Sequence, residues 1–60
     1  MNLVKIKSAE SFIDLEELIV YPMSESGRPV LRMGIDANEL SELWFDSLSL
    51  EDNELLMNIL

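Results

Sequence analysis

Cysteine and histidine are both absent from this chain, and no lysine or arginine follows Arg32. The lack of cysteine excludes disulfide staples, zinc fingers and iron–sulfur clusters. The lack of histidine removes the commonest ligand of transition metals and the usual base beside a nucleophilic serine. The lack of late bases leaves residues 36–60 with seven acids (Asp36, Glu39, Glu42, Asp46, Glu51, Asp52 and Glu54) and nothing to offset them. Such a segment repels phosphate backbones and anionic headgroups, so no direct nucleic-acid or membrane partner is expected.

Glycine is scarce as well. Gly27 and Gly34 are the only two, which excludes a glycine-rich phosphate loop. Apolar runs such as 18–21 are a few residues long, far short of the ~20 that a membrane span needs. The opening residues alternate apolar with polar instead of forming the apolar block of a signal peptide. The expectation is a soluble, cytoplasmic protein.

What is present suffices for a fold. Hydrophobic residues make up 48% of the 60-residue chain, whose net charge is −8; a disordered segment carries far less apolar material. One domain, 1–60, is all this length allows. A chain so short buries only about 60% of the surface it exposes when unfolded. Without disulfides or a metal, support from a second copy or a partner is expected.

Residues 3–7 alternate, with Val4 and Ile6 on one side and Lys5 and Lys7 on the other, as in a half-exposed strand. Residues 8–16 are ambiguous, because Phe12, Leu15 and Ile19 have helical spacing and Ser8 or Ser11 could cap a turn. A short turn or loop is expected around 11–16, then a strand from about 17 to 23 led by the β-branched and aromatic run Ile19-Val20-Tyr21. Ser24-Glu25-Ser26-Gly27 reads as a hairpin loop with Gly27 at positive φ, and 28–35 as the returning strand. Met23 would then face Arg28, Val20 would face Leu31, and Leu18 would face Met33. Leu18, Val20, Leu31, Met33 and Ile35 would line one face. Ile19, Tyr21, Met23, Arg28, Val30 and Arg32 would line the other.

The rest reads as two helices. Asp36 followed three residues later by Glu39 has the capping-box pattern, opening a helix over about 37–48 with Ala37, Leu40, Trp44 and Leu48 at helical spacing and Leu43 at the edge. Ser49 with Glu51 and Asp52, or equally Ser47 as the cap, starts a second over about 50–60, carrying Leu55, Leu56, Ile59 and Leu60. Trp44 is assigned to the core and Phe45 to a half-exposed position. The fold class is therefore α+β: a small antiparallel sheet of two or three strands (a hairpin about 17–35 and a possible strand 3–7), followed by two short helices packed on one face.

Catalysis is not expected, since no base–nucleophile pair exists and adjacent carboxylates such as Glu16 and Glu17 point apart on an extended chain. No cofactor is expected. Acids 46–54 lack the alternating ligands and mid-loop glycine of a calcium loop, and helix caps explain them better. Glu39, Glu42 and Asp46 would share one side of the first helix, which makes them the candidate surface for a partner protein with a basic face; a merely solvated face is the plainer alternative. Tyr21, Met23, Val30, Arg32, Ile59 and Leu60 are the candidate interface of a homo-oligomer, being residue types that interfaces favour or apolar groups that should not dangle in water. The resulting expectation is a small acidic adaptor, inhibitor or regulatory factor, a size and charge class that suits a phage- or plasmid-encoded modulator. The alternatives are an assembly protein or, more weakly, an antitoxin-like neutraliser of a basic toxin.

Overall fold

The computed structural model of the protein describes residues 1–59, with Ile59 given by its backbone alone. Four strands run in chain order, β1 (Leu3–Ile6), β2 (Ser11–Asp14), β3 (Ile19–Pro22) and β4 (Ile35–Asp36), followed by α1 (Glu42–Asp46) and α2 (Leu50–Ile59). The sheet order is β1-β2-β3-β4 and every pairing is antiparallel. The α+β class is as expected, but the sheet has four strands where two or three were predicted.

The added strand is β2, in the stretch read as a loop. Two hairpins enclose it, closed by the pairs Ile6↔Ser11 and Asp14↔Ile19. Each leaves four residues in the loop, and each loop ends in a left-handed residue, Glu10 at φ 46° and Leu18 at φ 56°. In the first, a 3-10 turn spans Lys7–Ala9. In the second, the Leu18 N–H reaches back to the Asp14 carbonyl at 2.8 Å. The side chain of Asp14 also accepts the N–H groups of Glu16 (2.9 Å) and Glu17 (3.3 Å). Neither loop contains the Gly or Asn that ordinarily marks a left-handed position, so the turns left no trace in the composition.

The predicted strand over 28–35 and its register are corrected. Only Ile35 and Asp36 pair with β3, as Val20↔Ile35 and Ile19↔Asp36. Met23 bridges Pro29 and not Arg28, while Leu31–Met33 form a 3-10 turn that leaves Leu31 and Met33 exposed. The Met23–Pro29 bridge makes the loop five residues, 24–28, where four were predicted, but the expected positive φ at Gly27 is present. Gly27 has φ 81°, its N–H donates to the Ser24 carbonyl (2.9 Å), and the Ser24 N–H donates to the Arg28 carbonyl (2.7 Å).

The single helix over 37–48 is likewise corrected. Asp36 does cap a turn, accepting the Asn38 N–H at 2.9 Å, but that turn is the 3-10 segment Ala37–Glu39. Leu40 and Ser41 are extended (ψ 141° and 158°), and Ser41 caps α1. A serine gains more at a cap, where its hydroxyl takes an orphan N–H, than inside a helix. The break does not scatter the apolar stripe. Ala37, Leu40, Trp44 and Phe45 all pack against a core of Ile6, Ile13, Val20, Leu48 and Leu56. The pairs Val4↔Ile13 and Ile13↔Val20 place the β residues on one sheet face, and that face receives the helices. Burial of each such side chain contributes about 1.5–3 kcal/mol.

The opposite sheet face is covered at β3 by the chain itself, while Lys5 on that face stays exposed. Tyr21, expected on an open face, is only 6% exposed. A Cβ at Gly34 would lie 2.7 Å from a Tyr21 ring carbon and 2.8 Å from an Ile19 methyl. The 31–34 segment thus lies directly on the ring, an approach that glycine alone permits.

Candidate functional site

The expected partner-binding residues are all exposed, but they do not form one helical row. Glu39 ends the 3-10 turn, and the extended Leu40 and Ser41 separate it from Glu42 and Asp46, the first and last residues of α1. Glu42 and Asp46, four apart, share a side of that helix. The expected oligomer residues are dispersed. Tyr21 is buried, Met23 and Val30 are half-buried, and Arg32 is exposed in its 3-10 turn. The Ile59 side chain and the whole of Leu60 lie outside the described residues.

What the helices do bring together is an apolar groove of about 300 Å³ lined by Phe45, Asn53, Leu56 and Met57. Leu56, 4% exposed, forms its floor, and Met57, 79% exposed, stands at its rim. Phe45 is held by an edge-to-face contact with Trp44, 5.1 Å between centroids and 89° between planes, an arrangement aromatic quadrupoles favour. Asn53 is the polar member of the lining, and one N–H of its side-chain amide donates to the Leu48 carbonyl at 3.3 Å. Leu50 is also exposed, 76%, and with Asn53 and Met57 it follows the i, i+3, i+7 spacing of one side of α2. One helical turn before Phe45 stands Glu42, and one turn before Met57 stands Glu54, both exposed.

The orientation of α2 is fixed by a contact across most of the chain. The buried carboxylate of Asp52 accepts the Ser8 N–H (3.0 Å), the Ser8 hydroxyl and the Ser49 hydroxyl (3.2 Å). The Ser8 oxygen in turn accepts the Ser49 N–H at 3.0 Å. Of the two serines that could cap α2, Ser49 does so, accepting the Asp52 N–H at 3.2 Å. The Ser8 hydroxyl, with the donors around it, holds the Asp52 carboxyl below its usual 3.8 against the opposing pull of burial. Asp14 is lowered likewise, first by the Glu16 N–H. Among the described residues no buried side-chain polar atom lacks a partner, and no three acids are placed to hold a metal ion.

Sequence reasoning found the cap at Ser49 and the half-exposed Phe45 but missed the groove and the Ser8 contact. An Asn and a Met on a helix carry no signal of a groove until the facing helix is placed. Nothing in the sequence marks Ser8 as the partner of residues more than forty positions away. Among the described residues, no helix is long and apolar enough to cross a membrane. Compared with known proteins, the chain matches no protein-family model, no curated protein and no solved structure.

Proposed function

We propose that this chain is a non-catalytic protein-binding domain, an adaptor, inhibitor or regulatory factor, which engages a partner with a basic surface through its helical half. The observation that carries this reading is an apolar groove, with Met57 and Leu50 beside it in solvent, set in a segment where every charge is negative. Apolar groups left exposed together in a domain this small mark contact surfaces. Charges of one sign around them select the partner and speed its approach.

The test is capture from cell lysate with the native protein and with a Glu39→Lys/Glu42→Lys/Asp46→Lys variant. All three positions are exposed, so the variant keeps the fold: the i, i+4 repulsion of Glu42 and Asp46 becomes that of two lysines, while the net charge falls in magnitude from its native −8. A partner retained by the native protein, lost by the variant and released as salt rises supports the reading. Retention unchanged in both respects removes the acidic surface from it.

A second reading, self-assembly, draws support from the other end of the sheet. Leu31, Met33 and Ile35 are 54%, 55% and 47% exposed beside β4, a two-residue edge strand. So short an edge offers little backbone to pair, and the contact would run through these exposed apolar side chains. Sedimentation of a Met33→Lys variant against the native protein decides it.

A further inference from the structure

The groove between α1 and α2 restricts its occupant in three ways. Its volume of about 300 Å³ lies at the bottom of the ligand-pocket range of roughly 300–1,000 Å³, room for a side chain or two. Among the described residues its lining offers one polar side chain, Asn53, beside the apolar Phe45, Leu56 and Met57, so it lacks the several converging donors and acceptors that orient a small polar ligand. Finally, Glu42 and Glu54 stand one helical turn from lining residues, in a segment without a single base.

That last feature also decides against a second copy of this chain. A two-fold contact sets the same surface against itself, so Glu42 and Glu54 would meet a helical surface that carries acids and no base, and an acidic patch set against an acidic patch is disfavoured. A foreign cationic segment meets no such opposition. Its shape follows from α2, where exposed Leu50 lies beyond the groove on the side of the helix that carries Met57, seven residues or about 10 Å away at 1.5 Å per residue, with the polar Asn53 between them. A surface of that form suits an amphipathic helix laid alongside.

We infer that the α1/α2 groove seats one apolar side chain of a basic amphipathic helix from another protein, with Glu42 and Glu54 meeting Lys or Arg on either side of that anchor. The inference rests on the proposed reading of a basic partner and assigns it a place. Phe45 and Leu56 contact the anchor, and Met57, unbranched and adaptable, closes over it.

Two synthetic helical peptides of equal positive charge test this, one with Leu on a single face and one with those Leu replaced by Ser. The Leu peptide is expected to bind with NMR shifts centred on Phe45, Asn53, Leu56 and Met57, and the Ser peptide at least tenfold more weakly. Met57→Ser, at a position 79% exposed, should leave the fold intact and weaken the Leu peptide about tenfold. Glu42→Lys/Glu54→Lys should weaken it and flatten its salt dependence. Equal affinity for both peptides, unchanged by Met57→Ser, overturns the groove and leaves the basic-partner reading standing. Failure of both peptides to bind overturns both. A free protein that sediments as a dimer with these four residues protected overturns the foreign occupant in favour of a second copy.

Discussion

Glu10 and Leu18 sit at φ 46° and 56°, where an L side chain other than Asn or Asp meets its own backbone at a cost of about 1–2 kcal/mol. Glu10 is exposed, so replacing it forfeits little packing. Glu10→Asn is expected to raise stability by up to about 1 kcal/mol, several degrees in Tm for a domain of this size. Gly34 is constrained in the opposite sense. Its backbone is ordinary (φ −65°, ψ 140°), and the limit is the Tyr21 ring 2.7 Å from any added Cβ. Gly34→Ala should cost about 1–3 kcal/mol by overpacking. Thermal denaturation of both variants checks the pair; an unchanged Tm for Gly34→Ala would mean the 31–34 segment can lift off β3.

Elements are fixed in this protein less by their own propensity than by what caps and covers them. The α1 helix has five residues, too few to persist alone in water, and it stands because Trp44 and Phe45 pack on the core. The α2 helix is tied at its start to the β1–β2 turn through Ser8 and Asp52. The tie makes stability depend on pH. Asp14 and Asp52 both titrate below 3.8 in the folded state, so the unfolded chain binds more protons as pH drops past that value. Their stabilisation is complete above the unfolded value and is lost as pH falls through the lower folded values. The urea midpoint should therefore fall below about pH 4, and the fall should be shallower in Asp52→Asn, which cannot titrate there. Native-state hydrogen exchange of that variant should also show the Ser8 and Ser49 amides losing protection at neutral pH. Retained protection would mean that Asp52 does not hold α2.

At the scale of the whole molecule, charge and size work against each other. A net charge of −8 on 60 residues disfavours the compact state through self-repulsion. The core opposing it rests on a few buried residues, chiefly Ile6, Ile13, Val20, Leu48 and Leu56, and truncating any of them to Ala costs about 2–5 kcal/mol, much of what a small domain has. Sodium chloride raised from 0.01 to 0.1 M shortens the screening length from about 30 to about 10 Å. The Tm of the free protein should rise accordingly, and a bound cationic partner should raise it further at low salt. A Tm indifferent to salt would show that the acids lie too far apart to strain the fold.

The sequence alone determined what local chemistry determines. The alternation of residues 3–7, the β-branched run at 19–21, the Gly27 loop, the caps at Asp36 and Ser49, and the acidic character of everything beyond Arg32 were all legible, because each depends on neighbours a few positions away. The sheet's fourth strand, the break at Leu40 and Ser41, the burial of Tyr21 and the groove were not. β2 lies between two loops whose left-handed residues are Glu and Leu, so composition marked neither turn. In sequence Asp36 reads as the cap of one long helix, whereas it caps a 3-10 turn and Ser41 caps α1, an arrangement that packs both Leu40 and Trp44 against one core. Tyr21 is covered because Gly34 lets the backbone lie on its ring, a contact between residues thirteen apart that no periodicity reports. The groove exists only where two helices meet, and so it belongs to the tertiary structure alone.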